Sequence, residues 1–290
     1  MGMVLRLIAV ALLSVMFACV KLMSERGVTV MESLFFRQFI LLLVAIAWMA
    51  VDSRFGSGVG FEAIKTKKPR AHLIRMLVGL TAMGFNFGSY ALLPMAEATT
   101  IAFAVPIFAT ALAALILHEP TGIHRWGAVL VGFVGVLIVV QPGSAHISLI
   151  GGIVAVVAAF LTASVTIVIR NLGATEGSLT IVFWFALTSL IPLVPSMFWF
   201  AELHEPAVWG IALVMGIAGG LAQIALTSSL RLAPVALVMP MDYTGLIWAS
   251  LFGWLLFSQW PTASTFAGAP IIIASGLYIL WRETKLRIKT

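Results

Sequence analysis

The sequence predicts an all-α integral membrane protein with ten transmembrane helices, folded as two inverted five-helix repeats over residues 1–145 and 146–290. Three observations carry that expectation. Apolar residues are too dense for a soluble fold, the few charges are sorted by loop, and a set of turn and glycine positions recurs half a chain later.

Hydrophobic residues make up 61% of the chain and charged ones only 10%, against about 25% charged in soluble domains. Mean hydropathy is +1.11. A soluble fold of this composition would expose large apolar patches. A span needs about 20 apolar residues to cover about 30 Å of hydrocarbon, and the chain holds ten such stretches with short connections. The net charge of +6 does not point to nucleic acid, because the basic residues sit beside span ends rather than on one soluble face. The single cysteine, Cys19, excludes an internal disulfide and, lying mid-span, reads as a small apolar packing residue.

The elements follow in order. The first span, 4–23, runs from Arg6 into Lys21 without a small-residue cleavage pattern, so it reads as a retained helix rather than a signal peptide. Gly27 turns the chain into 31–51, a basic stretch leads to 73–93, and Pro94 separates that span from 98–117. Glu119-Pro120-Thr121-Gly122 precedes 124–140. No Asp, Glu, Lys or Arg occurs from Trp126 to Ile169, and Gln141-Pro142-Gly143-Ser144 cuts this run into 124–140 and 149–169. Gly173 leads to 179–199, Pro206 to 207–230, Pro234 to 234–257, and Trp260-Pro261-Thr262 to 264–281.

With the N-terminus inside, fourteen of the seventeen Lys and Arg fall on inner segments, from Arg6 through the Arg54–Arg75 stretch to Lys289. Only Lys21, Arg26 and Arg37 remain on the outer side. The positive-inside rule then puts both termini in the cytoplasm and makes the number of spans even. Pro120-Thr121, Gly127 and Gly135 recur as Pro261-Thr262, Gly268 and Gly276, each shifted by 141 residues. Five spans per copy is odd, so the second copy is expected upside down, an arrangement suited to alternating access around a midplane site.

The first half carries Phe17-x-x-x-Lys21, Arg37, Tyr90-Ala91-Leu92, Pro106-Ile107-Phe108 and Glu119. The second carries Met239-Pro240-Met241-Asp242-Tyr243-Thr244, Leu246-Ile247-Trp248-Ala249 and, most specific, Gly253-Trp254-Leu255-Leu256-Phe257 followed by Gln259-Trp260-Pro261. In these features the chain resembles the EamA-type ten-span exporters of the drug/metabolite transporter superfamily. Where that family usually has Glu, this sequence has Gln259, which removes the basis for a proton role there. The resemblance implies a secondary transporter moving small metabolites, often amino acids, out across a bacterial inner membrane. Sugar, nucleotide-sugar or cofactor import on the same fold is the first alternative. A membrane enzyme or scaffold without transport is the second.

Charges inside spans mark sites, because each costs roughly 2.5–3.5 kcal/mol near the bilayer centre on insertion scales. Lys21 is expected to snorkel to the outer surface. Arg37 starts about 10 Å below that surface at about 1.5 Å per residue, and suits either a substrate carboxylate or a structural tie between helices. Asp242 starts about 12 Å in from Pro234; it suits a substrate ammonium, a proton exchanged during transport, or a stable hydrogen-bonded pair. Glu97 is expected to cap the fourth span. Asn86 and Tyr90 share one helical face, as do Gln223 and Thr227, and these groups can bind a zwitterion or glue helices together. Tyr243 joins them from the Asp242 motif, and Met83, Trp184 and Trp248 offer apolar or aromatic surface. Pro106 and Pro240 interrupt matching spans and are the expected bending points. The site is therefore expected between spans three, four, eight and nine, with Arg37 and Lys21 at its outer rim.

A phosphate-binding loop, metal-ligand spacing and a nucleophile elbow are all missing from the sequence. The histidines fall at or next to span ends and are expected to be solvated. No enzyme activity, cofactor, metal or nucleic-acid partner is expected. The expected partners are a small-molecule substrate and the lipid bilayer, with a monomer as the default assembly and a homodimer as the alternative.

Overall fold

A computed structural model describes residues 2–55, 60–116, 123–141, 148–173, 175–232 and 239–287. The turn motifs at Pro120-Thr121, Pro142-Gly143 and Pro234 lie outside them. Every regular element among the described residues is helical. The order is α1 (Gly2–Glu25), α2 (Val30–Phe55), α3 (Pro69–Leu92), α4 (Met95–Ala102), α5 (Val105–Ile116) and α6 (Ile123–Val140). It continues with α7 (Leu149–Gly173), α8 (Ser178–Phe200), α9 (Pro206–Leu232), α10 (Gly245–Phe257) and α11 (Ala263–Arg287). Short 3-10 turns occupy Gly60–Ile64 and Met239–Thr244.

Local chemistry sets the ends of these helices. Gly27, at φ +79°, supplies the left-handed residue that closes α1. Thr29 and Glu32 then form a capping box on α2: the Glu32 carboxylate accepts from the Thr29 N–H, and the Glu32 N–H donates to the Thr29 hydroxyl. Pro69 opens α3 at a first-turn position. The chain breaks at Phe103-Ala104, immediately before Pro106, so that the expected fourth span is two helices, α4 and α5. In the same way the described part of the expected ninth span opens with the 3-10 turn containing Pro240 before becoming α10.

The helices pack in pairs, chiefly α1 on α9, α3 on α7, α6 on α11, and α2 on both α8 and α9. Small residues let several pairs approach closely. A Cβ at Gly268 of α11 would stand 2.7 Å from the Gly135 carbonyl oxygen of α6, so that contact is backbone against backbone. Gly216 and Gly220 of α9 instead make room for the Ile40 and Val44 side chains of α2. One apolar core gathers Leu93, Ile101, Ile107, Val139, Ala155 and Ile272, and a second Met16, Met23, Leu34, Phe87 and Met215.

Among the described residues, seven helical segments are long and apolar enough by length and composition to cross a membrane, and Trp126–Val140 is a shorter apolar helix. Large apolar side chains such as Phe198 and Ile123 cover the outside of the bundle. That surface suits lipid and not water: the protein is a multi-pass membrane protein.

Candidate functional site

A cavity of about 200 Å³ opens between α1, α3, α4, α9 and the turn that starts α10. Helix α1 presents one stripe to it, Arg6, Val10, Leu13, Ser14 and Phe17, spaced so that they share a face. Asp242 enters from the 3-10 turn. Arg6 and Asp242 meet fork to fork: Arg6 Nε donates to Asp242 Oδ1 at 2.6 Å and Nη2 to Oδ2 at 2.5 Å. Both carboxylate oxygens are thus engaged by one guanidinium, the geometry that makes such pairs strong and oriented. Tyr90 of α3 also lines the cavity, with its hydroxyl 2.9 Å from Thr99 Oγ1 of α4 and its ring stacked 4.0 Å from Phe17.

Polar groups near the C-terminal ends of α1 and α3 and the start of α4 behave differently from expectation. Lys21 does not snorkel. It is buried, and its ammonium donates to the Leu93 and Tyr90 carbonyls at 2.9 and 3.4 Å, where α3 ends, with the Phe257 ring 5.4 Å away. The cation thereby satisfies carbonyls that the helix end leaves orphaned. Glu97 is fully buried and reaches beyond its own helix, accepting from the Thr262 N–H and the Thr265 hydroxyl at the start of α11. Two histidines expected at the surface are not free in solvent. His204 is half-buried and bonds to Glu32 at 2.7 Å, and His72 is 1% exposed; His124 is exposed, while His118 and His146 lie outside the described residues.

The structure brings Tyr90 and Asp242 to one cavity and sends most other expected site residues elsewhere. Asn86 donates to Thr162 of α7 at 2.9 Å and ties α3 to α7. Met83 packs on the second core. Trp184 donates to the Ile64 carbonyl at 3.0 Å beside the His72 ring. The Tyr243 ring stands edge-on to Phe103, and its hydroxyl is aimed at Gly276 of α11. Trp248 stacks on Phe252 of its own helix. Gln223 is half-buried on α9 near the cavity-lining Leu226, and the Thr227 side chain lies outside the described part of the structure. Arg37 is buried on α2, where its Nη1 donates to Gln38 Oε1 at 2.8 Å, and it lies against Gly219 of α9. Sequence reasoning missed Arg6, Ser14 and Thr99. The signal available was Arg6 and Ser14 on one face of an otherwise apolar α1.

A larger groove of about 580 Å³ between α2, α3, α7 and α8 holds none of these charges. Its lining, from Leu34, Leu80 and Phe85 to Leu193 and Phe200, is apolar apart from Thr81 and Ser196.

A helical membrane bundle that encloses a small cavity with an ion pair in its lining, beside helices broken at Phe103-Ala104 and at Met239–Thr244, has the architecture of a membrane transporter. The EamA-like transporter family model matches residues 1–141 and 149–281, and the chain belongs to that family. It is 26% identical over 265 residues to an S-adenosylmethionine uptake transporter of Rickettsia bellii, covering 89% of this chain and 86% of that protein. It is 28% identical over 206 residues to the pseudopaline exporter CntI of Pseudomonas aeruginosa, covering 70% and 72%. A solved crystal structure matches with a TM-score of 0.65 at 18% identity, over 97% of this chain and 98% of the other; at that identity the likeness shows the fold alone. The protein is a transporter whose substrate is a small molecule.

Proposed function

We propose that this protein is a secondary transporter that exports amino acids or similar small zwitterionic metabolites by alternating access, and that the cavity closed by Arg6–Asp242 is its binding site. The observation that carries this is the placement of an orientable ion pair, an aromatic stack and two hydroxyls around one small cavity at the broken start of α10. Its volume is below the range typical of drug-sized ligands, which favours a small metabolite. Asp242 would meet a substrate ammonium, and Arg6 and Tyr90 its polar remainder. In the proton-coupled form of the cycle, Asp242 exchanges a proton after Arg6 releases it.

The same reading includes ten crossings in two inverted halves, residues 1–145 and 146–290. The packing pairs support it: exchanging the halves turns α1 on α9 into α7 on α3, and leaves α6 on α11 and α2 on α8 unchanged. The family match in two segments and the breaks before α5 and α10 agree with it. We place the protein in the bacterial inner membrane as a monomer with both termini cytoplasmic, on the strength of the charge sorting. Pro106 and Pro240 are assigned as the bending points.

Uptake is the second reading, favoured by the likeness to the S-adenosylmethionine uptake transporter of Rickettsia bellii. Counterflow in proteoliposomes with a panel of amino acids, with and without a pH gradient, tests the proposal. Amino-acid exchange that Asp242→Asn abolishes is the expected result. Exchange of other solutes only, or wild-type exchange by Asp242→Asn, would overturn the substrate or the site respectively.

A further inference from the structure

Away from the cavity, residues of α2, α3 and α8 hold buried hydrogen-bonding groups with nothing to bond. Arg75 is 8% exposed and lays its guanidinium 4.0 Å over the Phe185 ring, while its Nε and Nη1 reach no acceptor. Arg37 is 6% exposed and leaves its Nε unmatched. The Gln38 amide nitrogen, both ring nitrogens of His72 and the Ser189 hydroxyl are buried and unpartnered as well. Arg37 is the charge that acts on Arg75, and it has the same sign. Among the described residues no carboxylate bonds to either guanidinium. A buried cation is costly unless paired, and repulsion from a second cation adds to the cost; intramembrane charges of this kind mark ligand pathways.

The geometry also suits a ligand. Arg75 starts about 9 Å along α3 from Pro69, at about 1.5 Å per residue, and folds toward Gly79, further into the bundle. Arg37 comes from the other end of α2 and touches Gly219, about 20 Å along α9 from Pro206 at the same rise. The two guanidiniums therefore approach the middle of the bundle from opposite sides, the depth at which a solute can be reached from either face.

We propose that Arg37 and Arg75, with Gln38, His72 and Ser189, form an oxyanion site that takes a carboxylate or phosphate group of the carried solute. The guanidinium forks supply charge and directed donors, and the other three supply the remaining bonds. The assignment rests on the transport reading only for the idea that the anion belongs to a carried solute.

Trp184, whose ring lies 5.7 Å from that of His72, is the built-in reporter. Purified protein is titrated with sodium phosphate and, separately, sodium acetate at constant ionic strength while tryptophan emission is followed, with Trp184→Phe as the control that identifies the signal. A saturable change with at least one anion is expected, and Arg75→Gln and Arg37→Gln each shift its midpoint at least tenfold. Ser189→Ala, a milder change, shifts it in the same direction if an arginine variant does not fold. A response to phosphate alone assigns a phosphorylated solute, and one to acetate alone a carboxylate. No saturable response to either, or unchanged midpoints in the folded variants, overturns the site. Binding is read without transport, so a failed counterflow assay leaves this result standing, and active counterflow with a silent titration removes only the anion site.

Discussion

Arg6 and Arg75 are buried to nearly the same extent, 7% and 8% exposed, yet one has both carboxylate oxygens of Asp242 and the other has only an aromatic face. The difference separates two uses of intramembrane charge. A paired cation is satisfied without ligand, so Arg6–Asp242 fastens α1 to the start of α10, and in the proposed cycle it must open for a solute to enter. An unpaired cation is unsatisfied without ligand, so the Arg75 region gains most from what it binds. Burial alone, the quantity that sequence reasoning estimates, does not distinguish them. The partner does.

Asp242→Asn should produce the largest change. It leaves the Arg6 guanidinium facing a neutral amide. Breaking a fully buried pair costs about 3–5 kcal/mol; because the Asp242 side chain is one-third exposed, about 2 kcal/mol is expected. Cys19 is the protein's one thiol and is buried, so a thiol-reactive dye reports melting directly. A wild-type melt would show that the pair contributes nothing. The exchanged pair, Arg6→Asp with Asp242→Arg, sharpens the point: it should recover about 1 kcal/mol relative to the sum of the single changes, and strict additivity would refute direct coupling.

Arg75→Met should act with the opposite sign. It removes a cation that no carboxylate balances and fills the space with an unbranched apolar chain. The cation–π contact with Phe185 is lost, at a cost of about 0.5–1 kcal/mol, but relief of desolvation and of repulsion from Arg37 outweighs it, for a net gain of about 1 kcal/mol. Ligand-free protein should therefore melt higher than wild type in the same dye assay. If Arg75→Met falls as Asp242→Asn does, Arg75 is a structural residue and the contrast between the two sites disappears.

The helices were legible from the chain because hydropathy and the turn residues are local properties. Gly27, Pro94, Pro106 and Trp260-Pro261-Thr262 each stand at or beside a helix end or break. The pairings were not legible. Arg6 and Asp242 are 236 residues apart, and no periodicity along either helix says that the two will face one another. Arg75 was read as part of the inner basic stretch and His72 as a solvated residue ahead of a span, because position near a span end does not tell which face of the helix a residue occupies. Lys21 was misread for a related reason: snorkelling is a lone helix's solution, and here the end of α3 supplies carbonyls within hydrogen-bond reach.

The smallest effect concerns the loops that border the Arg75 region. Glu176, between α7 and α8, accepts from the Thr66 hydroxyl and the Lys67 N–H, both at 2.9 Å, and so fastens its loop to the segment ahead of α3. Burial works to raise its carboxyl, but the bonds from Lys67 and Thr66, together with His72 and Lys68, outweigh it and hold the group below its ordinary value. A carboxyl lowered by folding stabilises the native state above its unfolded pKa and loses that contribution as pH falls through the folded value. Acidification below about pH 4.3, the ordinary value for Glu, should therefore release the clasp. Glu176→Gln should cause a slight loss of melting temperature at neutral pH and flatten the acid limb of the profile, because a neutral amide does not titrate. Since the clasp borders only the Arg75 region, limited proteolysis of the Thr66–Lys68 segment should rise in Glu176→Gln and stay at wild-type level in Asp242→Asn. Equal cleavage in both variants would mean that the two regions loosen together, and that they are not separate sites.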